Sequence, residues 1–410
     1  MIFLRIFKLR VIVGGGLNIL ILSFYYFPDL SAGSFRTTAL VKALLEKLPE
    51  NAHITLITTL PNRYSSFSSE APEVEFLPRL TIYRVKLPPH QSGMLDQAKA
   101  FLTFARKARF FVRGGEFDLV YGTSSRLMTA ALSAFFSWRK KVPLYLDIRD
   151  IFVDTIKDVL PKGLAFLAGP LFVLLEKITI SRASKVNLVS LGFRGYFLER
   201  YPNQKFSFFP NGIDTEFASF HLSEPLPKQP GEPLVVLYAG NIGEGQGLQQ
   251  IIPELAKQLE GQVHFRIIGD GGRRPLLEQK TLALGCKNVE ILPPIKRDQL
   301  LVEYEKADIL FLHLNDYEAF RKVLPSKLFE YAAVGKPILA GVAGYAAEFV
   351  EAEIDNAVVF HPCDVRGAVR VLGGLKFTHV NRSVFVEKYA RESIMLNMAS
   401  DILTIVPKGC

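Results

Sequence analysis

The sequence predicts an α/β protein with two doubly wound parallel-sheet domains that face a central cleft. Its 410 residues exceed the usual size of one domain. Apolar, strand-like runs alternate with helix-period segments, which is typical of a parallel sheet covered by helices on both faces. A polar, proline-rich stretch at 222–233 interrupts this alternation. We therefore expect an N-terminal domain at 1–204, a linker at 205–232, a C-terminal domain at 233–381, and a helix at 382–410 that packs back toward the first domain.

The apolar runs predict the strands of each half of the chain, and the helix-period segments predict its helices. In the first half, strands are expected at 17–24, 53–58, 119–121, 144–148 and 186–189, and helices at 34–48, 95–113, 125–136 and 164–178. In the second half, strands are expected at 235–239, 265–268, 289–291, 309–312 and 337–340, and helices at 247–259, 275–284, 300–306, from about 326 to 335, and at 382–405.

The charge and cysteine content of the chain indicate which binding partners and which cell compartment to expect. The formal net charge of +9 and the pI near 9.3 favour an acidic partner, which could be nucleic acid, anionic lipid or a phosphorylated substrate. The basic residues are scattered among aromatic and aliphatic ones, so we favour a lipid surface and a nucleotide sugar, and expect no nucleic acid. Cys286, Cys363 and Cys410 are far apart and odd in number, which favours a reducing cytosol.

The N-terminus does not have the pattern of a signal peptide or a spanning helix. Arg5, Lys8 and Arg10 interrupt its apolar residues, and no clean run of about 20 apolar residues is present. Residues 1–16 are either a basic, apolar extension that touches a membrane, a mis-assigned start, or a floppy tail.

The short helix near Ser326 has both of its ends marked in the sequence. Pro325 suits a helix entrance, and Ser326 is a good N-cap. Gly335 ends the helix and Pro337 prevents its return. Free backbone N–H groups and the positive end of the dipole therefore point out of its start and predict an anion site, most naturally for phosphate.

The residues after Ser326 extend this site. Lys327 adds a positive charge, and Leu328 lies on the inward stripe. Glu330 lies one turn on, where its carboxylate can accept hydrogen bonds from both hydroxyls of a ribose. Phosphate and ribose ligands one turn apart indicate a nucleotide diphosphate bound by Ser326, Lys327, Leu328 and Glu330. The structural alternative is a capped surface helix.

Glycine-rich loops follow two strands of the second half, where parallel sheets bind ligands. Their candidate donor-binding residues are Gly240, Asn241, Gly243 and Gln246 in the first loop and Gly269, Asp270 and Arg274 in the second. The spacing is neither GxGxxG nor a P-loop, so we expect diphosphate or sugar binding and not a dinucleotide or NTP hydrolysis. Plain tight turns are the alternative. Ile295 follows a rigid Pro-Pro turn suited to lining a nucleobase slot.

Two loops of the first half carry candidate acceptor-side residues. The loop after the first strand contains Gly33, Ser34 and Arg36, with Ser34 as the expected N-cap; we predict that these three bind the acceptor. Arg149 and Asp150 end an apolar strand, and we predict that they are catalytic, with Arg149 holding a phosphate and Asp150 an acceptor hydroxyl. The alternative is an Arg–Asp pair that locks the loop.

The sequence contains no motif for a metal site or for a nucleophilic serine. There is no DxD, no HExxH and no Cys/His cluster, so we expect no metal and no cofactor. The seven histidines are isolated and are expected to be structural, and no GxSxG elbow is present.

Together these residues resemble glycosyltransferase family 4, and most closely its bacterial branch that builds O-antigen and capsule sugars on a lipid carrier. The resemblance covers nearly the whole chain from residue 17. It rests on the Gly240-Asn241-Ile242-Gly243 run with Gln246-Gly247-Leu248, on Gly269-Asp270-Gly271, on Pro325-Ser326-Lys327 with Glu330-Tyr331, on Gly335-Lys336-Pro337, and on the turn Phe209-Pro210-Asn211-Gly212-Ile213-Asp214.

The resemblance implies the GT-B fold and a retaining, metal-independent transfer of a hexosyl or N-acetylhexosaminyl group from a UDP- or GDP-type sugar. Glu330 matches the glutamate that holds the ribose. Lys322 stands where the first glutamate of that pair would fall, and Gln246 stands where many members carry a phosphate-binding lysine. Arg149-Asp150 resembles the Arg-Asp pair of the lipid-carrier branch. The leaving phosphate would take the acceptor's proton, and Asp150 would orient the acceptor.

A lipid-linked saccharide or glycan acceptor is implied as well, and with it a cytoplasmic protein that is peripheral on the inner face of the plasma membrane. The helix at 95–113 suits an anionic membrane surface. Its residues Phe101, Phe104, Phe110 and Phe111 lie among Lys99, Arg106, Lys107, Arg109 and Arg113. An ordinary half-buried helix is the alternative.

Two other functions stay open. A nucleotide-sugar epimerase of similar two-domain shape would need acid/base carboxylates and histidines facing the sugar, and we cannot place them. A catalytically silent paralogue would bind the nucleotide sugar only, and the Lys at position 322 keeps this alternative open.

Overall fold

Each half of the chain is built on its own parallel sheet. The computed structural model describes residues 16–61, 70–88, 94–124, 127–151, 153, 162–219 and 231–407. The first sheet contains β1 (Asn18–Leu22), β2 (His53–Thr59), β3 (Val74–Leu77), β4 (Leu80–Val85), β5 (Leu119–Thr123), β6 (Leu144–Ile148), β7 (Lys185–Leu188) and β8 (Phe206–Ser207). Its order is β3-β4-β2-β1-β5-β6-β7-β8, and only β3 and β4 pair antiparallel among these strands.

The second sheet is parallel throughout the described strands. It contains β9 (Leu234–Ala239), β10 (Val263–Ile268), β11 (Val289–Leu292), β12 (Ile309–His313), β13 (Ile338–Gly341) and β14 (Ala357–Phe360), in the order β11-β10-β9-β12-β13-β14. The predicted fold class, α/β with two parallel-sheet domains, is confirmed.

Helices cover both faces of the first sheet. They are α1 (Ala32–Lys47), α2 (Met94–Val112), α3 (Leu127–Lys140), α4 (Lys162–Arg182) and α5 (Arg194–Arg200). Right-handed crossovers from β1 toward one edge and from β5 toward the other place α1 on one face and α2, α3 and α4 on the opposite face. Two buried clusters, one on each face, fill the space between the helices and the sheet. We call this sheet with its helices the first lobe.

The second lobe is the second sheet with the helices that cover it. These are α6 (Thr215–Ala218), α7 (Leu248–Gln258), α8 (Arg274–Ala283), α9 (Arg297–Lys306), α10 (Ser326–Val334), α11 (Tyr345–Glu353), α12 (Val365–Leu372) and α13 (Ser383–Lys388). No helix in the described part of the chain is long and apolar enough to cross a membrane.

The last helix, α14 (Arg391–Leu403), returns to the first lobe. Its buried residues Ile394, Met395, Met398 and Ile402 belong to the same core cluster as α1. Its Asp401 accepts hydrogen bonds from the Tyr145 hydroxyl (2.9 Å) and the Ser207 hydroxyl (2.7 Å) of the first lobe.

The two connections between the lobes run side by side. The N–H of Ile213 donates to the carbonyl oxygen of Tyr389, and the N–H of Arg391 donates to that of Ile213, both at 2.8 Å. Gly212 has a φ of +76°, and a Cβ there would lie 2.9 Å from Cα of Arg391. Glycine is therefore needed where the two segments cross.

Several elements differ from their predictions. The helix expected at 382–405 is broken between α13 and α14, because the backbone there pairs with Ile213. Strand β8 extends the first sheet within the expected linker. The elements β3, β4, β14, α5, α6, α11 and α12 were not predicted. The domain boundaries at 204/205, 232/233 and 381/382 stay predictions.

Candidate functional site

The two predicted glycine loops lie against each other at the ends of β9 and β10. Gly240 N–H donates to the carbonyl of Ile268, and Ile242 N–H donates to that of Asp270, both at 2.8 Å. Gly240 and Gly269 have φ values of +148° and +155°, and a Cβ on Gly269 would overlap the Gly240 carbonyl. Only glycine permits this approach, which leaves backbone as the wall of the second lobe at this edge.

Lys327 reaches this loop from the first turn of α10. Its Nζ donates to the Ala239 carbonyl oxygen and lies 5.1 Å from the centre of the Tyr238 ring. Burial lowers the pKa of Lys327, and the carboxylate of Glu330 opposes this shift. The structure therefore brings a poorly hydrated ammonium group next to the glycine loop.

The start of α10 corrects two predictions. Pro325, not Ser326, occupies the N-cap position, with extended backbone and no side-chain cap, and Ser326 is the first helical residue. The N–H of Leu328 donates to the Pro325 carbonyl at 3.1 Å, and its side chain is fully buried. Leu328 therefore packs the core, and its amide is already bonded within the turn.

Glu330 lies one turn further on and is mostly buried, with 15% of its side chain exposed. Its Oε1 is 3.8 Å from Nη2 of Arg297, at the start of α9. Burial raises the pKa of Glu330, against the opposing charges of Lys327 and Arg297. Sequence reasoning missed Arg297, although its position just after the Pro-Pro turn was a signal.

Arg297 joins the donor side to the first lobe. It forms an ion pair with Asp214 in the segment that connects the lobes, and its Nη1 is 3.4 Å from Oε1 of Glu216. Its guanidinium carbon is 3.9 Å from the centre of the Phe35 ring on α1. The region around Glu330 therefore faces the N-terminal end of α1 across the cleft.

Hydrogen bonds within the first glycine loop fix its shape. Asn241 Nδ2 donates to Oε1 of Gln246 at 2.6 Å, across Gly243. The Nδ1–H of His313 donates to the Gln246 carbonyl (2.7 Å), while Nε2 of His313 accepts from the N–H of Cys363 (2.9 Å). Burial lowers the pKa of His313 to about 4, so the ring is neutral and holds the loop from beneath.

The second loop is held in a similar way. Asp270 Oδ1 accepts from the N–H of Gly271 at 2.8 Å. Arg274 Nη1 donates to the Gly269 carbonyl (3.1 Å) and its Nε to Glu278 (2.7 Å), so part of its guanidinium braces the loop. Ile295 is half-buried against the core of the second lobe.

Arg149 and Asp150 follow β6 on the cleft side of the first lobe. Arg149 Nη1 donates to the Ala32 carbonyl at 3.2 Å and would lie 3.5 Å from a Cβ on Gly33. Burial raises the pKa of Asp150 to about 6, against the opposing charge of Arg149. The structure thus places Arg149 against Gly33 at the start of α1, and Asp150 is its neighbour in the chain.

Arg36 was wrongly predicted to bind an acceptor. It is fully buried, and its Nε and Nη2 donate to Asp147 at 2.8 and 3.0 Å. Its remaining donors reach the carbonyls of Phe209 (2.9 Å) and Pro210 (2.6 Å), in the segment that leads to the second lobe. Arg36 therefore anchors the connection between the lobes and is not available to a ligand.

Ser34 is also buried, and it is not the N-cap. Ser31 caps α1, accepting from the N–H of Ser34 at 3.1 Å. The hydroxyl oxygen of Ser34 has no hydrogen-bond partner among the described residues.

Lys322 lies in a 3₁₀ turn (Glu318–Lys322) against the first lobe. Its carbonyl accepts from the Ser190 hydroxyl at 2.6 Å, and its Nζ is 5.6 Å from the centre of the Tyr196 ring. This is a second contact across the cleft, some distance along the chain from Arg297.

The aromatic residues of α2 are mostly turned inward. Phe101 and Phe104 are buried, and Phe111 stacks on Tyr83 with ring centres 4.3 Å apart. Of the four phenylalanines predicted to touch a membrane, only Phe110 is exposed.

Comparison with solved structures defines the class of fold. Sucrose-phosphate synthase from Thermosynechococcus elongatus matches with a TM-score of 0.72 at 15% identity, covering 95% of this chain and 98% of that one. HepE from Anabaena, in complex with UDP, matches with a TM-score of 0.60 at 14% identity, covering 95% and 100%. The two lobes have the GT-B fold of glycosyltransferases.

Sequence comparison then gives the family. A model described as "Glycosyl transferase 4-like domain" matches residues 38–212, and one described as "Glycosyl transferases group 1" matches residues 224–372. The chain belongs to glycosyltransferase family 4.

A curated relative matches more narrowly. The Escherichia coli (strain K12) protein WcaI, provisionally described as a glycosyl transferase of colanic acid biosynthesis, is 29% identical over 201 residues. This match covers 46% of this chain and 49% of WcaI, so the chain spans about half the length of this relative.

Proposed function

We propose that the protein is a retaining glycosyltransferase that moves a sugar from a UDP- or GDP-type nucleotide sugar to a lipid-linked or glycan acceptor in cell-envelope polysaccharide biosynthesis. One observation carries the proposal: the glycine loops, Lys327, the start of α10 and Glu330 lie at one edge of the second lobe, facing α1 of the first. The UDP in HepE and the colanic acid description of WcaI support the donor and the pathway class.

The donor's diphosphate would lie between the Gly240 loop and the start of α10. Backbone N–H groups and the positive end of a helix dipole bind anions well, and they cost little to reorganise as charge develops on the leaving group. The ammonium of Lys327, partly stripped of water, would regain a charged partner. Glu330 would exchange its contact with Arg297 for the hydroxyls of the ribose.

The transfer breaks the bond between the anomeric carbon and the diphosphate, and it forms a bond from that carbon to the acceptor oxygen on the same face of the sugar. The acceptor's proton goes to the leaving phosphate. Asp150 would orient the acceptor hydroxyl, and Arg149 would hold an acceptor phosphate. We propose that protein groups alone balance the developing charge, with no cofactor or metal required, and that transfer occurs at the inner face of the plasma membrane.

The reaction can be tested with the purified full-length chain. UDP- and GDP-sugars, first screened by thermal shift, are incubated with and without a lipid-linked saccharide extract. We expect nucleoside diphosphate release only with acceptor, a product whose anomeric configuration by NMR matches the donor, and the same rate in EDTA. An inverted product, or release that stops in EDTA, would contradict the proposed mechanism.

A silent, nucleotide-sugar-binding protein is the second candidate function. Two points favour it: the family resemblance implies a glutamate where this chain has Lys322, and the carboxylate of Glu330 already has a cationic partner. Tight binding of a nucleotide diphosphate by calorimetry, with no release from any nucleotide sugar in the presence of acceptor extract, would support binding without turnover.

A further inference from the structure

Large apolar side chains are exposed on the outward face of three neighbouring helices of the first lobe. We call this face the α2–α4 surface. Its exposed apolar residues are Leu102 and Phe110 on α2, Met128, Phe135 and Trp138 on α3, and Leu171, Val173, Leu174 and Ile178 on α4. Contiguous exposed apolar surface on a soluble protein usually marks an interaction site.

The three helices form one continuous face. At their C-terminal ends, Lys140 on α3 donates to the Gly115 carbonyl just after α2, at 2.6 Å. Arg182 on α4 donates to the carbonyls of Ser137 and Val142, around the end of α3, both at 3.0 Å. The rings of Phe135 and Trp138 lie 6.1 Å apart. Met128 begins the same face at the cleft end of α3, just after β5.

The charge of this face is mainly positive, with Asp96 in the first turn of α2 and the exposed Glu116 just after α2 as its carboxylates. The sequence of α3 contains no carboxylate, and Glu176, the single acidic residue of α4, is buried and accepts from the hydroxyls of Tyr196 and Tyr201 at 2.9 Å. The exposed basic residues beside the apolar ones are Arg106, Lys107, Arg109, Arg139, Lys141 and Lys177.

An open cavity of about 480 Å³ lies at the basic end of this face. Its lining residues are Trp138, Arg139, Lys141 and Arg182. Lys141 has a φ of +60°, so the chain turns sharply there and presents Arg139 and Lys141 around the same opening. An indole beside three cations fits an anionic head group at the boundary between water and hydrocarbon.

We propose that the α2–α4 surface docks on an anionic lipid bilayer, with its apolar side chains at the acyl boundary and the cavity beside Trp138 around a lipid phosphate. Charge complementarity selects this partner, because the face combines apolar and basic groups without an exposed carboxylate on α3 or in the described part of α4. The proposal extends the membrane contact proposed above, but it does not depend on sugar transfer.

Trp138 reports directly on this contact. It is the single tryptophan of the chain, and 63% of it is exposed. We expect its fluorescence emission to shift to shorter wavelength with vesicles that contain phosphatidylglycerol, and to shift less with phosphatidylcholine alone or at high salt. An unchanged spectrum with both vesicle types would overturn the proposal.

Variants separate the apolar from the electrostatic part. In vesicle sedimentation, we expect Arg139→Glu with Lys141→Glu to weaken binding at least ~30-fold, because each of the two lost cations contributes ~1 kcal/mol and the new carboxylates add repulsion. The matched control, Lys287→Glu with Lys376→Glu, makes the same charge change on exposed lysines of the second lobe. For the apolar part, Leu174→Ser should weaken binding, whereas Leu282→Ser, at the exposed end of α8, should not.

Three outcomes would overturn the docking site. One is equal loss of binding in the matched controls, and another is equal binding to neutral vesicles. The third is a dimer in solution that Leu174→Ser dissociates, since a second copy of the chain would then cover the face. Vesicle binding measured without a sugar donor stands or falls independently of the proposed transferase reaction.

Discussion

The two lobes use their charged side chains differently. In the second lobe, Lys327 and Glu330 remain at the cleft edge, beside loops whose backbone is exposed by glycine. In the first lobe, Arg36 and Asp147 are fully buried and hold the connection between the lobes. A charged residue near the cleft therefore indicates a ligand site only when part of its side chain stays accessible, as for Lys327 and Glu330. The predictions below test this contrast, from the largest expected effect to the smallest.

Breaking the buried pair should destabilise the first lobe. Burial raises the pKa of Asp147, but the charge of Arg36 and its hydrogen bonds lower this pKa by more. The pKa of Asp147 therefore lies below its ordinary value. Arg36→Met would leave this carboxylate buried without its cation, at a cost of about 3–5 kcal/mol in the free energy of unfolding. Urea denaturation measures this loss.

The double variant Arg36→Met, Asp147→Asn is the control, and it should recover much of the lost stability because no charge stays buried alone. If Arg36→Met keeps full stability and instead weakens acceptor binding, Arg36 belongs to the site after all.

Acid should weaken the second lobe through His313. Its pKa is about 4 in the folded state against an ordinary value of 6.5. The unfolded chain therefore takes up a proton first as the pH falls below 6.5, and about 3 kcal/mol of stability is lost by pH 4. Above pH 6.5 this contribution is fully present.

The matched variant is His313→Asn, whose side chain both donates and accepts hydrogen bonds but does not titrate. Denaturant unfolding at a series of pH values should show a smaller loss of stability for the variant than for the native chain. Parallel pH curves would mean that His313 does not stay neutral in the fold.

Removing the cleft charges should reduce nucleotide affinity. Glu330→Gln and Lys327→Met each remove a charge-assisted contact, which corresponds to about tenfold to a hundredfold in the Kd for UDP or GDP. Titration calorimetry measures it. Glu348→Gln, on an exposed position of α11, is the control and should bind as the native chain does. Unchanged affinity in both cleft variants would remove these residues from the donor site.

The contact between Phe35 and Arg297 should have the smallest effect. Phe35→Leu removes a cation–π interaction at 3.9 Å while keeping an apolar side chain, at a cost of about 0.5–1 kcal/mol. We expect the donor KM to rise a few fold, and a loss of stability by urea denaturation no larger than this cost. A fall in kcat at constant KM would instead place Phe35 at the reacting atoms.

Much of the second lobe was predictable because its signals are local. The spacing of the glycines predicted the loops of Gly240 and Gly269. The alternation of apolar runs with helix-period segments predicted the strands before these loops. The N-cap was misplaced by one residue, because Pro325 already has the extended backbone that this position requires.

Long-range contacts explain what the sequence did not reveal. In the sequence, nothing local distinguishes Arg36 or Arg297 from an arginine on the surface of a helix. The partners of Arg36 are Asp147 and Phe209, and that of Arg297 is Asp214, all far away in the chain. The break before α14 likewise depends on pairing with Ile213, a segment that no local propensity identifies.

The paired crossings at Ile213 and Ala390 have a mechanical consequence. The two segments that connect the lobes are hydrogen-bonded to each other at this place. Any rotation of one lobe against the other would therefore have its pivot there. Displacement grows with distance from a pivot, so small torsional changes beside Gly212 translate into large openings at the outer rim of the cleft. Arg297, close to the pivot through Asp214, moves little, whereas groups at the far rim move most.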